Sequence, residues 1–217
     1  VLHHALCCLP VDDFDVNALL DIYPLHLLTR DQIGILFSAA GLTTPIPRAL
    51  DVGAGGGFVT AELRHHCSEV VAAETSKGMA RRLELLGYQV WREDIADSAA
   101  KRLAAEHKSF SLVSLLNVLD RCASPKSMLA AAHTLLAPTY QGETTWLLLA
   151  TPLPFNAAYF GWRTLWSGRP LERLGLVSEM RRHGADKADE EEWGAQAAEL
   201  VENVLPTAGF EPRVLSR

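Results

Sequence analysis

Four glycines crowd the stretch after Asp51, which reads Asp51-Val52-Gly53-Ala54-Gly55-Gly56-Gly57. Glycine removes the β-carbon, so main chain can turn tightly and a ligand can approach it closely. Two acids follow at the ends of apolar, strand-like runs: Glu74 after "EVVAA" and Asp94 in "WREDI". A carboxylate in such a position can accept hydrogen bonds from a pair of hydroxyls or from an amino group. Asn117 and Asp120 close a further apolar run, "FSLVSLLNVLD". If that segment begins a turn there, the carboxamide and the carboxylate lie on one side.

Three ligands compete for the glycine loop. A nucleoside triphosphate requires GxxxxGK[ST], and no such string occurs. A dinucleotide requires GxGxxG, but counting from Gly53 the last position is Phe58. The spacing Asp51-x-Gly53-x-Gly55-x-Gly57 instead resembles motif I of S-adenosylmethionine methyltransferases, whose cofactor carries a carboxylate, a sulfonium and a ribose but no phosphate. Glu74 then faces the ribose and Asp94 the adenine amino group. From spacing alone, Glu74 is equally a solvated strand end, and Glu93 and Asp97 compete with Asp94.

These residues need elements to hold them, and the pattern supplies an alternation. Helices are expected at "DVNALLDIY" and at "TRDQIGILFSAAG", the second with Thr29 as N-cap and Gly41 as its stop. Strand "RALDV" leads into the glycine loop, and helix "GFVTAELRHHC" leaves it. Then come strand "EVVAAE", a helix capped by Ser76 and stopped by Gly87, strand "YQVWRED", and a helix from Asp97 or Ser98. The wholly apolar "FSLVSLLNV" suits the centre of a parallel sheet. A helix with Ser124 as cap and Pro125 first follows, then strand "TTWLLLATPL". Strands alternating with helices of this length imply an α/β, doubly wound parallel sheet. "EWGAQAAELVENVLPTAGF" returns to a helix, "EPRVLSR" starts a strand, and a further strand is expected beyond residue 217.

The composition narrows the class. The chain has 217 residues, a formal charge of -6 and 48% hydrophobic residues, which fits one domain. The acidic balance argues against a nucleic-acid binder. No apolar run reaches the roughly 20 residues of a membrane span. Cys7, Cys8, Cys67 and Cys122 have no CxxC spacing and read as free thiols. His65, His66 and Cys67 lack a second ligand group, so no metal site is assigned. The chain starts at Val1, and an upstream segment is compatible with that. We divide it into a helical segment (1–45), a cofactor-binding core (46–151), an insertion or substrate lid (152–192) and a C-terminal helix and strand (193–217).

At the fourth strand the motifs become specific. "LLNVLDRCASPKSML", with "LDVGAGGG", "AAETSKGM", "LAPT", "LPF" and "TAGF" in the same order, resembles the DREV, or methyltransferase-like 9, family over residues 31–217. The resemblance implies a Rossmann-like class I methyltransferase fold with N-terminal helices and an insertion after the fifth strand. It also implies an S-adenosylmethionine-dependent enzyme, with S-adenosylhomocysteine as product, that methylates the Nπ (Nδ1) nitrogen of histidine in His-x-His motifs. Carried over by position, the cofactor residues are Asp51, Gly53, Ala54, Gly55, Gly57, Glu74, Thr75, Asp94 and Asn117. The catalytic pair is Asn117 and Asp120, and Asp120, Arg121, Phe155 and Tyr159 meet the substrate. The sequence departs from the family in three places. Gly56 stands where an acid is usual, "VSEMRRHGADKADEE" is longer than its counterpart, and the family's tyrosine-containing tail after "SR" is not in this chain.

The chemistry is coherent. Imidazole, with a pKa of about 6.5, offers a neutral lone pair at neutral pH, so no strong base is needed. A carboxylate that holds the Nτ–H leaves Nπ with the lone pair and stabilises the charge that develops on the ring. Spacing alone leaves Asn117 and Asp120 open to a turn or capping role. Tyr159, Trp162 and Trp166 either line a peptide groove or anchor the insertion. The acidic run 189–192 reads as a solvated helix start that would also attract histidine-rich peptides. A monomer with histidine-containing protein or peptide partners is expected, in a cytoplasmic or endomembrane setting. A small-molecule methyltransferase and a catalytically impaired binding scaffold are the rival readings.

Overall fold

The computed structural model describes residues 27–96, 110–136, 144–155, 171–176 and 190–214. Five parallel strands form one sheet in the order β3-β2-β1-β4-β5. They are β1 (Ile46–Val52), β2 (Cys67–Ala73), β3 (Gln89–Trp91), β4 (Leu112–Leu116) and β5 (Trp146–Ala150). All five residues of β4 are buried, as a central strand covered on both faces requires. In β1 only Pro47 is partly exposed. The order of strands reverses direction between β1 and β4, and the crevice beyond their carboxyl ends is where open α/β sheets bind ligands.

Helix α1 (Arg30–Ala40) begins with a full capping box: Thr29 accepts from the Gln32 amide, and the Gln32 side chain accepts from the Thr29 amide. Gly41 ends it at φ 77°. Its buried face, Ile33 and Phe37, packs with Leu63 and Val70 on one side of the sheet. Helix α2 (Phe58–Arg64) leaves the glycine loop, and Glu62 on it accepts the Arg30 amide at 2.8 Å. His66 lies 2.8 Å from the Arg30 carbonyl through Nε2 and edge-on to Phe37. The adjacent Cys67 thiol is pushed up to about 12, chiefly by burial. These two residues are thus engaged in packing. The expected helix 57–67 is also shorter, because Cys67 already belongs to β2.

Helix α3 (Lys77–Leu85) starts as expected, with Ser76 accepting the Met79 amide at 3.2 Å. Helix α4 (Pro125–Leu135) has proline at its first turn, but Ser124 makes no side-chain cap bond. That expectation is corrected: the cap comes from Glu172, far along the chain. Helix α5 (Glu190–Glu199) continues through a π-turn (Leu200–Val204) into α6 (Leu205–Thr207). Residues 211–214 form no strand, contrary to the reading of "EPRVLSR". The larger core cluster joins β4 to α4 and to Phe155, Leu174, Leu176 and Leu200. The expected helices at 15–23 and 97–107 lie outside the described residues, as do Trp162 and Trp166.

Candidate active site

The glycine loop bends at positions that a side chain would obstruct. Gly53 has φ 67°, and a Cβ built on it would stand 2.7 Å from Val118 Cγ2. Gly57 has φ 84°, and its Cβ would lie 2.9 Å from Leu83 Cδ2 on α3. Other residues disfavour this backbone region, and a side chain at either position would also have to displace Val118 or Leu83. Gly53 and Ala54 both donate to the Ala73 carbonyl, at 2.8 and 3.3 Å, which fastens the loop to the end of β2.

Asp51 lies beneath the loop, 3% exposed. Its Oδ2 accepts the Thr60 hydroxyl at 2.6 Å, and its Oδ1 accepts the Ser114 hydroxyl at 2.7 Å. Burial raises its pKa, and the two hydroxyls pull the other way. The carboxylate thus ties β1, α2 and β4 together under the cradle.

Glu74, just past β2, is half-buried. Its Oε2 accepts the Gly55 amide and its Oε1 the Ser76 amide, each at 2.8 Å. The side chain thereby shapes the loop, and a carboxylate is a group that accepts from hydroxyls. Thr75 beside it is exposed. Asp94 is exposed and lies three residues beyond β3, where its Oδ1 accepts the Ala96 amide at 2.9 Å.

On the other wall of the crevice, β4 ends in a turn. Asn117 has φ 56°, a left-handed conformation that asparagine tolerates better than most residues and that often marks functional sites. Its amide donates to the Ala150 carbonyl of β5 at 2.8 Å. Asp120 is 7% exposed, and its Oδ1 is buried with no hydrogen-bond partner among the described residues. Its Oδ2 lies 3.5 Å from Arg121 Nε, and the Arg121 side chain is exposed. Burial raises the Asp120 pKa, which Arg121 only partly counters. The Cys122 thiol is pushed up to about 12, mainly by burial, so it stays protonated.

Phe155 is 2% exposed and belongs to the core cluster, with its amide donating to Gln196 Oε1 at 2.6 Å. Tyr159 lies outside the described residues. Residue types and spacing drew attention to the loop, Glu74, Asn117 and Asp120, and the fold gathers these around one switch point. Three contributors escaped that reading. Arg82 on α3 donates from Nε to the Gly56 carbonyl at 3.2 Å and stacks over the Phe58 ring. The Thr151 hydroxyl, just after β5, is buried with no partner among the described residues. Glu172 caps α4. None of the three sits in a motif, and no local signal singles them out.

The sequence profile of the DREV methyltransferase family matches residues 4–214. The chain belongs to the DREV methyltransferase family. The ubiquinone biosynthesis O-methyltransferase of Ruegeria pomeroyi is 32% identical over 129 residues, 53% of this chain and 51% of that protein. The enzyme of the same name from Xanthomonas campestris pv. campestris is 31% identical over 143 residues, 64% of this chain and 57% of that protein. The DREV chain therefore spans a little over half the length of the curated relatives it matches. Solved structures resemble it more distantly. The N-methyltransferase NodS of Bradyrhizobium japonicum, in complex with S-adenosyl-L-homocysteine, is 15% identical with a TM-score of 0.42, covering 55% of this chain and 60% of that one. An S-adenosylmethionine-dependent methyltransferase of Clostridium acetobutylicum is 18% identical with a TM-score of 0.41, covering 50% and 45%.

Membership in this family makes S-adenosylmethionine the methyl donor against which the crevice is judged, and the residues fit it. Gly55, at φ 54°, leaves bare main chain where a Cβ would meet only the Gly53 carbonyl oxygen, 3.9 Å away, and the Glu74 carboxylate stands next to it on the Gly55 amide. Such a cradle suits a nucleoside with a vicinal diol and no phosphate. No helix among the described residues is long and apolar enough to cross a membrane.

Proposed function

We propose that the chain is a protein-histidine methyltransferase that modifies the Nπ (Nδ1) nitrogen of histidine in His-x-His motifs. The observation that carries this reading is Asp120: a buried carboxylate oxygen with no donor among the described residues, at the carboxyl end of β4 beside the glycine cradle. An imidazole N–H supplies the missing donor. Because Oδ1 is out of contact with solvent, the incoming ring must displace the groups that cover it.

Asp120 accepts the Nτ–H of the target ring and so fixes the tautomer whose lone pair is at Nπ. The same carboxylate stabilises the imidazolium as charge develops. Asn117, held by strained backbone at the mouth of the crevice, turns its carboxamide toward the cofactor's methionine portion or the acceptor ring. Glu74 holds the ribose hydroxyls, with Asp94 on the adenine side and Thr75 between them. Asp51 works indirectly by fixing the loop. When bound, S-adenosylmethionine supplies an electrophilic methyl on a sulfonium and leaves as S-adenosylhomocysteine. Alignment supplies most of the rate, since effective molarities of oriented reactants reach about 10⁵ M or more. The core 46–151 then serves the cofactor and the insertion 152–192 the substrate.

The test is a His-x-His peptide incubated with the protein and S-adenosylmethionine. Mass spectrometry should find one added methyl on one ring nitrogen, and no gain would count against the reading. A second reading, methylation of a small hydroxylated ring, draws on the names of the relatives from Ruegeria and Xanthomonas. Turnover of a catechol in the same assay, with the peptide inert, would favour it.

A further inference from the structure

Residues 171–176 lie against the turn that carries Asp120. The amides of Leu171 and Glu172 both donate to the Ala123 carbonyl, at 2.7 and 3.3 Å. Leu174 and Leu176 are buried in the core cluster that holds Leu119 and Met128. The Glu172 carboxylate then straddles the first turn of α4. Its Oε1 accepts the Ser127 hydroxyl at 2.6 Å and its Oε2 the Ser127 amide at 2.9 Å. Ser124, at the N-cap itself, makes no side-chain cap bond.

The turn between β4 and α4 is therefore fastened at both ends. Asn117 binds Ala150 at the start, and Ala123 with Ser127 binds the 171–172 segment at the finish. Asp120 stands between the two anchors. We propose that Glu172 is a positioning residue for Asp120, holding the turn so that the buried carboxylate oxygen keeps its place facing the target ring. Without the Glu172 carboxylate the finish of the turn keeps only the two main-chain bonds to Ala123, and the 120–123 segment can shift until its carboxylate meets water instead of substrate. The proposal rests on the reading of Asp120 as the acceptor of the imidazole N–H. It adds that a residue distant in sequence governs how well that acceptor is aimed.

The test compares the full chain with its E172A, E172Q and S127A variants. The first readout needs neither substrate nor cofactor: the titration of the Asp120 carboxyl followed by carbon-detected NMR. In E172A it should fall toward the ordinary carboxylate value as Oδ1 gains water. E172Q, which keeps an acceptor for Ser127, and S127A, which keeps the amide contact, should fall between E172A and the parent. An unchanged titration in folded E172A overturns the proposal, and if E172A does not fold, E172Q decides. The second readout is steady-state methylation of the His-x-His peptide. The kcat of E172A should drop roughly tenfold, since small misplacements of a reacting group are costly. Its S-adenosylhomocysteine affinity should stay within about twofold of the parent, because the cradle is not touched. A protein inactive as D120N but fully active as E172A would defeat the positioning claim alone. Full activity of D120N would remove the Asp120 reading, and the proposal with it.

Discussion

Gly53 and Val118 meet across the switch point of the sheet: a Cβ on Gly53 would stand 2.7 Å from Val118 Cγ2. The two walls of the crevice, the loop after β1 and the turn after β4, are thus in direct register. Gly53→Ala must accept φ 67° and push Val118, the neighbour of Asn117. We expect a loss of about 1–2 kcal/mol in unfolding free energy. S-adenosylhomocysteine affinity should fall at least about tenfold, as a shifted turn crowds the ligand. Thermal unfolding and calorimetry measure both, and unchanged affinity would show that this approach is not the ligand's.

Glu74 supports the loop and is proposed to bind the ribose. Glu74→Ala leaves the Gly55 and Ser76 amides without their acceptor and removes the proposed diol contact. Cofactor affinity should drop by about 1.5–3 kcal/mol, the range for hydrogen bonds to a charged group. Calorimetry with S-adenosylhomocysteine against 2′-deoxyadenosyl and 3′-deoxyadenosyl analogues separates the two roles. If the analogues bind the parent as well as the parent ligand does, the ribose assignment is wrong.

Asp120 should trade stability for function. Burial raises its pKa above the ordinary 3.8, so the folded state keeps its proton to a higher pH than the unfolded chain does. Folding stability therefore falls as pH rises from about 3.8 through the raised native value, and the cost persists at neutral pH. Asp120→Asn removes that cost: its Tm should exceed the parent's at neutral pH, and the gap should close in acid. Turnover should fall at least about a hundredfold, with cofactor affinity kept. A destabilised or fully active Asp120→Asn would contradict this account.

The rate should rise with pH. The acceptor ring must be neutral, which it becomes above about pH 6.5, and Asp120 must be ionised, which its raised pKa delays. Both requirements point the same way, so kcat/KM should climb through the acid range and level off above about pH 8. Residual activity in Asp120→Asn should show the imidazole limb alone. A profile that declines toward neutral pH would speak for an acid catalyst instead.

Asp51 is best probed through its partner. Thr60→Val removes one of the two hydroxyls on a buried carboxylate. We expect a loss of about 1–3 kcal/mol in stability and weaker cofactor binding, because β1, α2 and β4 share that carboxylate. Denaturant unfolding with and without S-adenosylhomocysteine reports both effects.

Much of this architecture is legible along the chain because its causes are local or periodic. Thr29 with Gln32, Ser76 with Met79, and Gly41 at positive φ announce helix ends through neighbours three or four residues away. The wholly apolar β4 announces a covered central strand, since only burial on both faces rewards such a run. The glycine spacing marks a backbone that something must approach. Where the cause is distant, sequence reading went astray or stayed silent. Ser124 has the right type and place for a cap, yet Glu172 holds the helix, because a charged acceptor brought in by the fold outcompetes a local hydroxyl. "EPRVLSR" has strand-like composition, but residues 211–214 have no neighbour to pair with among the described residues.

Residue order alone thus sufficed for the α/β class, the loop and the acids that surround it, since periodicity and turn chemistry act over a few residues. Packing in three dimensions settled the rest. It turned Asp51 inward onto Thr60 and Ser114, gave Phe155 to the core, bent Glu74 onto Gly55, and left an oxygen of Asp120 buried without a donor among the described residues. Which atoms a side chain meets depends on strand order and helix docking, and these are fixed only when the whole core closes.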